Sequence, residues 1–539
     1  MEAGAKVALE KGRVASAGGA APGHIRALAR RYGTVEQHRA AFRELGSEYT
    51  YAKEQGDLGV VLVRLSPALE QMFGFTREIL VFYSPYEDLQ GRTFSQLKQL
   101  SRRGGLEVNR ELTPDTAFLW APDPKLSDKL DEWSSSDFMV IPLALREDEH
   151  DRSDGDRLLE IIARRVFSRD LFEETGSVVG RKFFGRQRLL QALEEDVVQG
   201  RSLALFGLRK TGKTSVMRQL LQRLESRNPS STVTLVRDLE TLPSPTAGAA
   251  EDLLQDLRED LRTVLQAKGL RNFELADLRE GFSVSDFRRA VVRLIRKIDA
   301  PELRIVVALD EVEYLCPPDL VGERTPGAEG TAQILGTLRA IQQETGQLVF
   351  AFSGVTSSIV ERATLFGRPN PLLAWSKPYF LGPFDDEDVR DLLVSVGERM
   401  GVSWSTGGVN ALCRESGGHA YLTRSLASAV VGALPLDRDA RRVTAELVSS
   451  VAPEWARGIA GQRNAIVEDL RMNYPDEADL LEILMEPQGG FDEFAEAGSL
   501  AVEHLYRLGL VVTNEGEASP SAMCMALYGL SPCSRSELR

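Results

Sequence analysis

The chain has four cysteines in 539 residues, Cys316, Cys413, Cys524 and Cys533, and no C-x-x-C spacing among them. A disulfide framework and a cysteine zinc site are therefore not what organises it. Histidine is nearly as scarce, with five in all and no cluster with the cysteines. No apolar run reaches the 18 or so residues that a membrane-crossing helix needs. The start, Met1-Glu2-Ala3-Gly4-Ala5-Lys6, lacks an apolar stretch followed by a cleavage signature. Basic charge is in deficit: 65 Lys and Arg against 79 Asp and Glu give a net charge of -14 and a pI of about 5.2. The chain as a whole thus lacks the positive field that nucleic acid or an anionic membrane attracts. A soluble, cytoplasmic protein with no membrane partner is expected, with DNA a less favoured partner.

What is present is ordinary globular composition, 43% hydrophobic and 27% charged, with length for about three or four domains. Residues 1–22 are Ala- and Gly-rich without periodicity and are expected to be a disordered lead-in. From His24 to about Lys53 the pattern is helical, with Arg26, Arg30, Arg31, Arg39 and Arg43 on a basic, solvated side. Apolar runs at 58–66, 78–83 and 138–144 predict strands, so 23–150 is expected to be a separate N-terminal α/β domain. That region holds no G-x-S-x-G and no H-E-x-x-H. Its acidic pair Glu87-Asp88, after Ser84-Pro85-Tyr86, reads more readily as a turn or helix cap than as a site. The charged segment Arg146 to Asp156 marks a surface linker, taken as 151–180.

Between about 201 and 381, strands predicted at 201–206, 232–237, 303–309, 347–352 and 378–381 alternate with helices, the pattern of a parallel sheet. Directly after the first strand stands Gly207-Leu208-Arg209-Lys210-Thr211-Gly212-Lys213-Thr214, which fits G-x-x-x-x-G-K-[ST] between a strand and a helix. The glycines let the backbone wrap close to phosphate oxygens, and the helix start turns its amides towards the anion. Lys213 is expected to reach the β and γ phosphates and the Thr214 hydroxyl to ligate Mg²⁺, with Ser215 one residue on. The strand Ile305-Val306-Val307-Ala308-Leu309 then delivers Asp310-Glu311. Asp310 is placed in the Mg²⁺ shell and Glu311 beside the attacking water. The next strand ends in Ser353-Gly354, which makes Ser353 a candidate sensor of the terminal phosphate. Arg368, with Arg362 nearby, lies in the loop Leu365-Phe366-Gly367-Arg368-Pro369; it is either an arginine offered to a neighbouring subunit's nucleotide or an ordinary surface arginine.

Phe184-Gly185-Arg186, the P-loop, Leu309-Asp310-Glu311 and Gly417-Gly418-His419-Ala420-Tyr421-Leu422 follow one another in an order that resembles the AAA-related STAND ATPases, which include archaeal-type ATPases and NACHT-like signalling proteins. The resemblance covers roughly 180–430. It implies that Phe184 and Arg186 lie against the nucleotide base, and that His419, in a helical lid, touches the phosphates. In the family a proline follows the histidine; here Ala420 stands there, and a core or capping role for His419 is equally open. The resemblance further implies a P-loop core at 181–383, a lid at 384–455 and a winged-helix-like domain at 456–515, leaving 516–539 as a tail. ATP and Mg²⁺ are the implied cofactors.

Two functions follow from this resemblance. The first is a slow ATPase that acts as a signalling switch, self-associating at least transiently and controlling an N-terminal effector or a protein partner, in roles such as bacterial stress response or phage defence. The second is a DNA-handling ATPase of the origin-recognition or transposition-regulator type, gripping duplex DNA through the winged helix. The acid excess of 455–513 disfavours the second.

Overall fold

The computed structural model describes residues 22–75, 78–101, 112–134, 138–145, 152–174, 176–317, 328–373, 375–435, 441–485, 499–514 and 517–530. The expected lead-in, residue 22 apart, and the charged run 146–151 lie outside them. The chain forms two compact units. One takes Met1–Glu173 with Leu393–Ser405 and Val430–Thr444, and the other takes Glu174–Leu392, Thr406–Ala429 and Ala445–Arg539. No helix among the described residues is long and apolar enough to cross a membrane.

In the first unit, β1 (Glu48–Gln55), β2 (Leu58–Arg64), β3 (Glu78–Tyr83), β4 (Leu112–Trp120) and β5 (Met139–Pro142) make a sheet in that order. The β1–β2 and β2–β3 pairs are antiparallel, while β3–β4 and β4–β5 are parallel. Both faces are buried because side chains alternate along each strand. Ile79, Val81 and Tyr83 pack with the helices Pro22–Tyr32, Val35–Glu44 and Asp154–Phe167, whereas Leu80 and Phe82 pack with Gly91–Leu100 and Leu126–Trp133.

Three features of this unit differ from the sequence reading. The expected helix through Lys53 ends at Glu44 and gives way to β1, where Tyr49, Thr50 and Tyr51 favour a strand although Lys53 and Glu54 look helical. Strand β4 was not foreseen. The stretch expected as a linker contains the helix Asp154–Phe167, capped by Ser153 and acidic in its first turn, which buries Leu158, Ile162 and Val166.

Pieces of the stretch expected as a lid belong to this unit as well. Arg399 pairs with Asp115, and the Phe172 and Trp404 rings meet edge to face at 6.1 Å. A Cβ on Gly401 would run into the Phe167 ring.

The second unit is built on β6 (Ser202–Phe206), β7 (Thr232–Asp238), β8 (Arg304–Asp310), β9 (Leu348–Gly354) and, after a short hairpin of β10 (Thr364–Leu365) and β11 (Arg368–Pro369), β12 (Ser376–Phe380). The sheet order is β12-β6-β9-β8-β7 and every pair is parallel. The three central strands, β6, β9 and β8, are buried apolar runs because helices cover both faces, whereas the edge strands β7 and β12 carry exposed polar residues such as Asp238 and Lys377. This is the expected α/β class with a P-loop sheet.

Beyond it the helices Ala445–Gly458, Ala460–Asn473 and Pro475–Met485 precede Leu500–Arg507 and an antiparallel pair, Val511–Asn514 with Glu517–Pro520. The stretch expected as a tail carries the second of those strands and a helix, Ala522–Tyr528. Ser521 caps that helix, and its Met523, Cys524, Met525 and Leu527 are buried.

Candidate functional site

The site forms where the parallel strands end, the position at which open α/β sheets bind ligands. At the end of β6 the chain turns through Gly207, where a Cβ would lie 2.9 Å from the Leu381 carbonyl oxygen, so only glycine lets the strand pass. Lys210 and Gly212 adopt left-handed backbone conformations, φ 61° and 99°, and Gly212 caps the helix Lys213–Arg227. The first amides of that helix have no intrahelical acceptor and are suited to an anion. Thr211 steadies the loop by donating from its hydroxyl to the Leu208 carbonyl at 2.7 Å. Lys213 is buried, and its ammonium donates to the carbonyls of Gly207 and Leu208 at 3.0 and 3.2 Å. Arg209 and Lys210 are exposed, with the Lys210 ammonium 4.2 Å from the centre of the Tyr421 ring.

Thr214 and Asp310, expected at the metal, and Ser353, expected to sense the terminal phosphate, meet in one cluster. The Thr214 hydroxyl donates to Asp310 Oδ2 at 2.6 Å, and the Ser353 hydroxyl donates to Asp310 Oδ1. Asp310 Oδ1 also accepts the Glu311 amide at 3.1 Å. Mg²⁺ fits this donor set, a hydroxyl and a carboxylate converging beside phosphate-binding amides. Glu311 itself sits at φ 58°, a left-handed conformation that turns its side chain away from the strand line.

Glu313 joins the site unforeseen. Its carboxyl accepts the Val355 amide at 3.1 Å. Burial foremost, then the neighbouring Glu311 carboxylate, pushes its pKa up to about 8, against the pull of Lys213. Glu313 therefore carries a proton near neutrality.

The Ser215 hydroxyl accepts the Val178 amide at 3.0 Å. Arg186, itself at φ 61°, donates its amide to Asp388 at 3.1 Å, stacks its guanidinium 4.7 Å from the Phe384 ring centre and is pushed down to about 10 by burial. Phe184 is half-buried beside it in sequence. His419 is fully buried, and its Nε2–H donates to the Arg209 carbonyl of the P-loop at 3.2 Å. Burial, ahead of its other surroundings, lowers its pKa to about 4, so the ring is neutral and Nδ1 is an acceptor, without a partner among the described residues. Arg368 is exposed on the β10–β11 hairpin and is not brought to the Thr214–Asp310–Ser353 cluster. The acidic pair of the N-terminal unit is occupied structurally: Asp88 pairs with Lys129, which also holds Asp123 at 2.8 Å.

A family profile described as AAA domain matches residues 195–362. No curated protein matches the sequence. Among solved structures, a Walker-type ATPase of Pyrococcus abyssi aligns at 16% identity and a TM-score of 0.45, over 66% of this chain and 99% of its own. The Orc1 protein of Aeropyrum pernix, solved with DNA, aligns at 19% identity and 0.35, over 70% and 97%. The RuvB Holliday junction branch migration motor of Thermotoga maritima aligns at 14% and 0.33, over 65% and 96%. The profile spans the P-loop, Asp310-Glu311 and Ser353, the same residues the geometry gathers. Residues 195–362 thus carry a P-loop ATPase domain of the AAA type.

Proposed function

We propose that this chain is a STAND-type signalling switch that binds ATP with Mg²⁺, hydrolyses it slowly and couples nucleotide state to the packing of its C-terminal helices. The observation that carries the reading is a clasp directly beyond Ser353. The Tyr474 hydroxyl donates to the Val355 carbonyl at 2.9 Å and accepts the Ser357 amide at 3.0 Å. His504 joins Glu477 at 2.5 Å and Glu361 at 3.1 Å. The C-terminal helices thus hold the backbone that leaves the sensor strand. A shift of Ser353 on phosphate binding strains those contacts, and a ligand that binds the clasped and released arrangements unequally changes their ratio.

In the reaction, Lys213 and the P-loop amides bind and orient the phosphates, Thr214 and Asp310 would hold Mg²⁺, and Glu311 takes the proton of the attacking water. Bound Mg²⁺ would neutralise charge developing on the phosphates. Arg186, Phe184 and His419 line the base and phosphate margins, and Arg368 supplies a positive charge to a neighbouring copy. The N-terminal unit is the effector or partner-binding element.

DNA handling is the lesser reading, since Arg471 is engaged by Glu468 and Glu482 and Arg507 by Glu503. Light scattering of Glu311→Gln with and without Mg-ATP tests the switch: an ATP-dependent larger species supports it, and one unchanged mass under every nucleotide condition contradicts it.

A further inference from the structure

The helix Ala460–Asn473 carries Asp469, only 8% exposed. Its Oδ1 accepts from Asn473 Nδ2 at 3.3 Å, but Oδ2 is buried with no hydrogen-bond partner among the described residues. A buried carboxylate oxygen without a donor is costly and calls for a reason. The groups whose charges reach it are those of the nucleotide site. Burial raises its pKa most, Lys213 and Arg209 pull it down, and Glu311 pushes it up. The helix is fixed there independently, because Tyr474, at its end, clasps Val355 and Ser357 just past the sensor strand.

We propose that Asp469 is a specificity-determining residue of the nucleotide site, a negative charge that disfavours the terminal phosphate of a nucleoside triphosphate relative to a diphosphate while the C-terminal helices are docked. The inference rests on the ATP-binding reading above. The terminal phosphate is the part of the nucleotide assigned to Lys213 and to the side of Glu311, the two groups whose fields Asp469 shares. A terminal phosphate engages Lys213 and adds negative charge within the electrostatic reach of Asp469. The same repulsion acts in both directions: docked helices weaken triphosphate binding, and bound triphosphate weakens docking by the same factor.

The test is titration of the full chain with Mg-ADP and Mg-ATP, comparing wild type with Asp469→Asn, Asp469→Ala and Asp469→Glu, each checked for a native unfolding transition. The two neutral variants are expected to shift the ATP-to-ADP affinity ratio towards ATP by at least about 5-fold, with Asp469→Glu near wild type. An unchanged ratio in both neutral variants overturns the proposal. So does a selective loss of Mg-ATP affinity, which would make Asp469 a helper of the metal. If wild type binds neither nucleotide, the ATPase reading falls together with the proposal; if wild type binds and only the ratio stays fixed, the proposal alone falls.

Discussion

Thr214 and Asp310, 96 positions apart, are joined by a 2.6 Å hydrogen bond from the threonine hydroxyl to Asp310 Oδ2. The contact brings the start of the P-loop helix against the end of β8. Asp310→Asn keeps the shape but removes the charge, and it offers an amide where the hydroxyl already donates. A hydrogen bond to a charged group contributes about 1.5–3 kcal/mol, so Mg²⁺-dependent ATP affinity should fall by roughly 10- to 100-fold, read by titration with and without the metal.

Glu313 gives a pH signature. Its folded pKa of about 8 lies above the ordinary value of 4.5. The stability it contributes is therefore complete below pH 4.5 and is lost as pH rises through about 8. Glu313→Gln imitates the protonated form. Its melting temperature should decline less than that of wild type between pH 5 and 8.5, and melting curves at those two values check this.

His504 has a different window. Hydrogen bonds to Glu361 and Glu477 outweigh burial and raise its pKa from 6.5 to about 9. Its contribution is full below pH 6.5 and fades as pH rises through 9. In His504→Gln the C-terminal helices should release more readily at pH 6.5, with little further change by pH 9.5, while in wild type release should grow over that interval. Limited proteolysis of the C-terminal helices at the two pH values reads it.

Two glycines separate close packing from flexibility. Gly417 has φ +59°, and a Cβ there would collide with the Met523 backbone, whereas Gly461, inside a helix, has nothing within 4 Å of such an atom. Gly417→Ala should cost at least about 1–3 kcal/mol, and it should reduce nucleotide affinity because His419 rests on the P-loop two residues later. Gly461→Ala should add about 0.5–1 kcal/mol. Denaturant unfolding of both variants provides the comparison.

The P-loop, Asp310-Glu311 and Ser353 were legible in the sequence because their backbone geometry admits few residue types and because apolar runs place them at strand ends. The five-stranded parallel sheet followed from the same runs, each predicted strand lying within two or three residues of an observed one. The N-terminal unit was less legible. In β1, Glu48, Lys53 and Glu54 face outward and break the strand pattern. In β4, Thr113, Pro114 and Asp115 interrupt an otherwise apolar run, and its pairing with β3 is set by tertiary context.

Partners distant in sequence left no local mark. Asp388 meets Arg186 across 202 positions and His419 meets Arg209 across 210. Glu313 carried no mark of its own in the sequence, and Asp469 was one acid within the acid excess of 455–513. The helix Ala522–Tyr528 carried a usable signal, Ser521 ahead of a seven-residue apolar run. Arg368 is an exposed arginine outside the cluster of Thr214, Asp310 and Ser353.

The most direct measurement is ATP binding and turnover of wild type beside Lys213→Ala and Glu311→Gln. The account predicts that Lys213→Ala loses binding, while Glu311→Gln binds as wild type does but hydrolyses roughly 100-fold or more slowly, the scale of losing a general base. Wild type that binds no nucleotide, or Lys213→Ala that binds as well as wild type, would contradict it.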